Sequence, residues 1–99
     1  MKQLNTIYKY EKDKEREAAL QLQMAELEYQ QNIDRLSNVG EYRLEYMKRL
    51  NQRALQGIDS ATYSHFHAFV AKLDNAAEQV QIAIAQSKSL VVQRKSLWL

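Results

Sequence analysis

Apolar residues at alternating intervals of four and three positions constrain the second half of the chain most strongly. The pattern continues for more than four heptads through Phe66, Val70, Leu73, Ala77, Val80, Ile84, Ser87, Val91, Arg94 and Trp98. This spacing is typical of a coiled coil, because residues that recur every 3.5 positions stay on one face of a helix. The second half is therefore predicted to be one helix that buries a long face against a partner helix.

The first half of the chain follows the same rule more loosely. Its predicted seam is Leu22, Glu26, Tyr29, Ile33, Leu36, Gly40, Arg43, Met47, Leu50 and Ala54. Because proline is absent and glycine occurs only at Gly40 and Gly57, few positions interrupt a helix. We predict that Gly40 faces Ala77 where the two helix backbones approach closely.

One break, at residues 56–60, separates the two amphipathic segments. Gly57 can take the left-handed conformation that ends a helix, and Asp59 or Ser60 can cap the next one. The sequence thus predicts a first helix over about 2–55 and a second over about 61–99. Because the turn is short, the helices should run antiparallel. The predicted fold is all-α: a single domain in which two long helices form an antiparallel coiled-coil hairpin.

The position of the turn also predicts the register between the helices. Folding the chain about residues 57–58 pairs residues whose numbers sum to about 116 or 117. The predicted pairs include Leu50 with Phe66, Met47 with Val70, Arg43 with Leu73, and Ala19 with Trp98. Residues before about position 18 have no partner in this register, although they include several apolar side chains. We therefore expect the natural protein to continue beyond this chain, which would lack a C-terminal segment.

The sequence contains no set of residues typical of a catalytic site, a cofactor-binding site or a metal site. The chain has no cysteine, and His65 and His67 are two positions apart, which places them on different faces of a helix. No paired carboxylates, activated nucleophile or phosphate-binding glycine loop is found. The net charge of +2 gives no argument for nucleic acid, and no apolar stretch approaches the roughly 20 residues of a membrane span. We expect a cytoplasmic protein that is not an enzyme.

A second apolar column lies beside the main seam of the second helix. It consists of Phe69, Ala76, Ala83, Leu90 and Leu97, and the first helix adds Val39, Tyr42 and Tyr46 near the same level. A two-stranded coiled coil buries one seam, so this column is predicted to be an apolar strip that contacts a partner protein. A wider buried stripe, or a face covered by oligomerisation, would produce the same pattern.

The charged run 11–17 is either a solvated helix face or a charged tip that meets a ring or groove.

The residues around the turn resemble the flagellar export protein FliJ family. The resemblance rests on residues 41–46, Leu50, the Gly57–Ile58 turn and the following positions: Tyr63, Phe66, Phe69, Leu73, Ala76 and Ala77. It implies a component of the bacterial flagellar type III export apparatus, similar to the central stalk of rotary ATPases. It also implies binding to the hexameric export ATPase, promotion of ring assembly, contact with the cytoplasmic domain of the export gate, and chaperone recycling. The implied location is the cytoplasmic face of the inner membrane at the flagellar base, without a cofactor.

By the same resemblance, five residues are implied to contact the export gate: Tyr42, Tyr46, Phe69, Leu73 and Ala76. These positions coincide with the apolar strip found from periodicity, which Leu73 and Val80 extend beside the second column. The alternatives are the equivalent stalk protein of a virulence injectisome, a generic coiled-coil scaffold and an amphipathic helix at a membrane surface. In isolation, such a hairpin can also form a homo-oligomer to cover its surplus apolar surface.

Overall fold

Two helices account for almost all of residues 2–98, the part of the chain that the computed structural model describes. Helix α1 spans Lys2–Gln56 and helix α2 spans Ser60–Trp98, and no strand occurs among the described residues. Leu99, which the sequence includes in the second helix, lies outside the described residues. The prediction of an all-α fold with two long helices and a short turn is confirmed.

Gly57 ends α1. Its φ angle is +87°, in the left-handed region that favours glycine, and its N–H donates to the carbonyl oxygen of Ala54 at 3.2 Å. This bond satisfies one of the carbonyl groups that the end of a helix leaves without a partner. The chain therefore reverses direction within the three residues between α1 and α2.

Asp59 caps the N-terminus of α2. Its carboxylate accepts a hydrogen bond from the Thr62 N–H at 3.0 Å, and its carbonyl oxygen accepts from the Tyr63 N–H at 3.1 Å. Two hydrogen bonds to the carboxylate, one from the Thr62 side chain and one from the Thr62 N–H, hold the pKa of Asp59 below its ordinary value, because both favour the charged form. The sequence predicts either Asp59 or Ser60 as the N-terminal cap of α2. In the structure the cap is Asp59.

The two helices contribute to two compact units. The turn unit is Asn32–Ala83, and the terminal unit is Met1–Gln31 with Ile84–Leu99. In each unit, a stretch of α1 packs against an antiparallel stretch of α2.

Leu50, Phe66 and Val70 form the buried apolar core of the turn unit, and Leu50 is only 2% exposed. Leu73 lies half-buried on the same side of α2, one turn further along. The seam predicted for α2 is therefore the side of this helix that the turn unit buries. Burial of these side chains supplies most of the free energy that pairs the helices, at roughly 2 kcal/mol for each fully buried large apolar side chain.

The seam predicted for α1 is confirmed at six of its ten positions, which are buried or half-buried: Leu22, Tyr29, Ile33, Leu36, Met47 and Leu50. Its other four positions are exposed: Glu26, Gly40, Arg43 and Ala54. A second column, which precedes the seam by one residue and recurs every seven, is also buried or half-buried: Ala25, Asn32, Val39 and Tyr46. The buried stripe of α1 is therefore wider than predicted, because a charged side chain and a glycine gain little from burial, whereas the neighbouring apolar residues Ala25 and Val39 gain more.

Gly40 does not lie at a close approach of the helix backbones, so that prediction is also wrong. A Cβ atom built on Gly40 would meet no atom within 4 Å. The glycine faces open space on an exposed part of α1, and no packing constraint in the turn unit requires it.

Asn32 is a polar residue inside the turn unit, with only 4% of its surface exposed. Its Nδ2 donates to the Ala83 carbonyl oxygen at 3.5 Å, and its Oδ1 accepts from Nη1 of Arg35 at 3.0 Å. A buried amide in a coiled-coil interface lowers stability but favours one register, because a shifted register would separate it from its partners.

Ala25 and Ser87 are the buried residues of the terminal unit, and the Ser87 hydroxyl donates to the Ile84 carbonyl oxygen at 3.1 Å. Residues 2–17 are all exposed, including the charged run 11–17. Trp98 is 49% exposed and lines an open groove of about 600 Å³ with Ala18. The predicted partner of Trp98 was Ala19, which is exposed and does not line this groove.

Neither helix, over the part of the chain that is described, has a stretch long and apolar enough to cross a membrane.

Candidate partner-binding face

Four aromatic rings from both helices meet in the turn unit. Tyr42 and Tyr46 are four residues apart on α1, and Phe66 and Phe69 are three apart on α2, so each pair shares one side of its helix. The Tyr46 ring lies between the two phenylalanines, with centroid distances of 4.9 Å to Phe66 and 4.5 Å to Phe69. Tyr42 contacts Phe69 edge-on at 6.0 Å and stacks on Tyr46 at 6.3 Å.

Exposure increases across this cluster from the core to the surface. Phe66 is buried, Tyr46 and Phe69 are half-buried, and Tyr42 is 51% exposed. The inner rings hold the outer ones in place, since aromatic pairs at these separations attract each other by about 1 kcal/mol. The result is an ordered aromatic surface, one edge of which faces solvent.

Three of the five predicted gate-binding residues, Tyr42, Tyr46 and Phe69, are thus in mutual contact. The other two follow on α2: Leu73 is half-buried and Ala76 is exposed. We call these five residues the aromatic face. All five lie in the turn unit.

The second apolar column of α2 is less exposed than the sequence analysis predicted. Phe69, Ala83 and Leu90 are half-buried, whereas Ala76 and Leu97 are exposed. Because α1 also buries the column that precedes its predicted seam, its side chains cover part of this strip, as Tyr46 covers Phe69. The interpretation as a wider buried stripe therefore holds for part of the column.

An ion pair beside the aromatic face was not predicted. Nε of Arg43 donates to Oδ1 of Asp74 at 2.6 Å, and both side chains are about half exposed. The predicted register pairs Arg43 with Leu73. The numbers of Arg43 and Asp74 sum to 117, so the predicted register already contained this pair of opposite charges.

The two histidines do not form a metal site with each other. The His67 ring packs edge-on against Tyr63 with a centroid distance of 4.6 Å, and His65 lies on another side of α2. Within residues 2–98, no group of three or more His, Asp or Glu side chains is placed to hold a metal ion. The chemistry that this part of the chain offers is binding through an aromatic surface.

An all-α fold of two long helices, with an ordered aromatic surface in its turn unit, is typical of coiled-coil proteins. The model of the flagellar FliJ protein family matches residues 1–99, which is the whole chain. The chain belongs to the flagellar FliJ protein family, a non-enzymatic component of the flagellar type III export apparatus. A search of the curated proteins and a search of the solved structures each found no match. The family match favours the flagellar assignment over the injectisome and generic-scaffold alternatives.

Proposed function

We propose that this chain is a docking protein that binds both the hexameric export ATPase and the cytoplasmic domain of the export gate. The aromatic face carries the proposal for the gate. Its outer ring, Tyr42, is half exposed, yet it is held by contacts to Tyr46 and Phe69. A preordered aromatic side chain loses little conformational entropy when a partner covers it, which is why tyrosine is enriched among residues that dominate interface energies.

The aromatic face has the composition of a small interface centre. Tyr42 provides a large ring with a hydroxyl group, and Ala76 provides a flat apolar surface on α2 that a partner side chain can approach closely. The Arg43–Asp74 ion pair lies beside them and supplies a polar border. An apolar centre with a polar rim is the common arrangement of specific protein interfaces.

The terminal unit is proposed to bind the ATPase ring. Residues 2–17 are exposed throughout and combine apolar side chains with the charged run 11–17, in which Lys12 and Glu15 form an ion pair at 3.9 Å. The interpretation of this run as a charged tip fits a ring lined by charged residues. Ring assembly would be favoured by mass action, because a ligand that binds the assembled ring shifts the equilibrium toward it. Recycling of export chaperones belongs to the same proposal and rests on the family resemblance.

The gate interaction is tested with Tyr42→Ala combined with Ala76→Glu. Both positions are exposed, so the fold should persist, while the variant removes a ring and places a charge on the aromatic face. We expect binding to the gate's cytoplasmic domain, measured by calorimetry, to weaken at least about tenfold, as is common for a central interface tyrosine.

The matched control is Leu44→Ala, which removes an exposed apolar side chain from α1 about 200° around the helix from Tyr42. Its affinity for the gate should stay within about twofold of the unaltered chain. Equal affinities for the double variant and the control would remove the aromatic face from the gate interaction.

The ATPase interaction is tested by the activity of the purified export ATPase with and without this chain. Stimulation accompanied by ring assembly supports the proposal. If the chain neither stimulates nor binds the ATPase, the proposed ring-binding role is rejected. The gate interaction is then judged only by the calorimetry of the aromatic-face variant.

A further inference from the structure

An open groove of about 870 Å³ lies near the turn, between the last turns of α1 and the first turns of α2. The residues that determine its chemistry are Arg49 and Arg53 on α1, His65 and Phe66 on α2, and Tyr46 at one end. All of them belong to the turn unit. Apart from Tyr46, none is part of the aromatic face.

The groove is positively charged. No aspartate or glutamate is among its lining residues. Over residues 2–98, neither Arg49 nor Arg53 has a carboxylate oxygen within salt-bridge distance, and Glu45, one turn before Arg49, forms no ion pair with it. Two guanidinium groups therefore border the groove without an ion pair to any described residue.

The groove is also partly ordered without a ligand. The guanidinium carbon of Arg53 lies over the Phe66 ring, 5.5 Å from its centroid. A cation at this distance from an aromatic face is attracted by the ring's quadrupole, which restricts the rotamers of the arginine. Because less side-chain freedom remains to be lost, a carboxylate that pairs with Arg53 binds at a lower entropic cost.

We propose that this groove binds an acidic segment of a partner protein. Arg49 and Arg53 are four residues apart on one helix, so their attachment points are about 6 Å apart along its axis. Two carboxylates on alternate residues of an extended segment are about 6.6 Å apart, which matches this spacing. The planar guanidinium group suits carboxylates because it can donate two parallel hydrogen bonds. The side chain between the two carboxylates would point away from the groove, because successive residues of an extended segment face opposite sides.

The groove favours an acidic peptide over a nucleic acid. Binding of single strands relies on exposed rings that stack with bases and on a track of several cations. Phe66 is buried and its ring is covered by Arg53, so it offers no free face to a base. Two arginines with one histidine make a local site that fits a pair of carboxylates, rather than a track along a phosphate backbone. This proposal is independent of the gate and ATPase interactions and adds a second binding surface to the turn unit.

The test uses a fluorescein-labelled peptide that contains two glutamates separated by one leucine, followed by fluorescence anisotropy at low salt. The matched peptide has glutamine at both glutamate positions. We expect the glutamate peptide to bind the unaltered chain and the glutamine peptide to bind at least about tenfold more weakly, since two charge-assisted hydrogen-bonded pairs are lost.

The variant is Arg49→Gln combined with Arg53→Gln, and its control is Lys72→Gln combined with Lys88→Gln, which removes the same charge from exposed positions on α2. Circular dichroism establishes that both variants keep their helices. The arginine variant should bind the glutamate peptide about tenfold more weakly, and the lysine variant should stay within about twofold.

Three results would overturn the proposal. The first is absence of peptide binding to the unaltered chain. The second is equal weakening by the arginine and lysine variants, which would mean a diffuse charge effect. The third comes from a labelled single-stranded oligothymidine probe: if it binds more tightly than the peptide and depends on Arg49 and Arg53, the groove is a phosphate site.

Discussion

Asn32 provides a test in which two substitutions at one position should shift stability in opposite directions. Its amide is 4% exposed, and its hydrogen bond to the Ala83 carbonyl oxygen, at 3.5 Å, is at the outer limit of such bonds. A second bond, from Arg35 at 3.0 Å, involves an exposed arginine that can return to water. Each of these two bonds is therefore a modest compensation for burying the amide.

The magnitude follows from these contacts. The bonds of Asn32 to Ala83 and Arg35 together contribute about 1 kcal/mol net, because water competes for the Arg35 group and the Ala83 bond is long. A leucine of similar size buried at this position contributes about 2 kcal/mol. Asn32→Leu should therefore stabilise the chain by about 1 kcal/mol and raise the melting temperature by about 5 °C for a domain of this size. Asn32→Ala removes the bonds, leaves unfilled space and should lower stability by about 1 kcal/mol.

Thermal unfolding by circular dichroism at one fixed protein concentration measures both variants. Sedimentation velocity is the control, because stability gained through self-association would raise the melting temperature for an unrelated reason. If Asn32→Leu stays in the same association state as the unaltered chain and melts about 5 °C below it, the argument from buried polarity is refuted. The contacts of Asn32 would then stabilise the folded state more than an apolar side chain can.

Three further predictions concern the core, the ion pair and the cap. Leu50→Ala should destabilise the chain by about 2–4 kcal/mol in urea unfolding, whereas Leu55→Ala, at a residue 90% exposed, should change stability by less than about 0.5 kcal/mol. A double-mutant cycle with Arg43→Ala and Asp74→Ala should give a coupling of about 0.5 kcal/mol that decreases in 1 M salt; a coupling insensitive to salt would contradict a half-exposed ion pair. Because the folded state lowers the pKa of Asp59, its charge stabilises the fold above the ordinary pKa of 3.8, and this contribution is lost as the pH falls through the lowered value. The melting temperature of Asp59→Asn should accordingly lie below that of the unaltered chain at pH 7 and converge with it as the pH falls below the lowered pKa, whereas a constant difference would assign the effect to packing.

The buried side of α2 could be predicted because its apolar pattern is strict. Phe66, Val70 and Ser87 are buried at the positions that the heptad assigns to the seam. The turn was equally readable, since Gly57 and Asp59 are residue types whose backbone and side-chain chemistry suits the two helix ends. These features depend on local chemistry and on one period, so a single sequence contains them.

The second buried column of α1 could not be predicted, because this column and the predicted seam fit the same period. The seam contains Glu26 and Gly40, and the second column contains Ala25 and Asn32, so neither is uniformly apolar. How much of each column is buried depends on how it packs against α2, a property of both helices together. The candidate face is affected in the same way: its level was predictable from the turn, but the half-burial of Phe69 follows from its contacts with Tyr42 and Tyr46.

Gly40 has a consequence for the motion of the aromatic face. A glycine in the middle of an exposed helix costs about 1 kcal/mol relative to alanine, and here a Cβ would meet no atom within 4 Å, so no steric constraint requires the glycine. Backbone amides around Gly40 should therefore open locally, and exchange their hydrogens with solvent, more readily than those near the well-buried Leu50. Val39 and Tyr42 flank the glycine, so one edge of the aromatic face lies on the part of α1 that loosens most easily. A partner that docks there contacts a surface whose rings are ordered but whose supporting helix opens locally. Once that partner is bound, amide hydrogen exchange near Gly40 should slow.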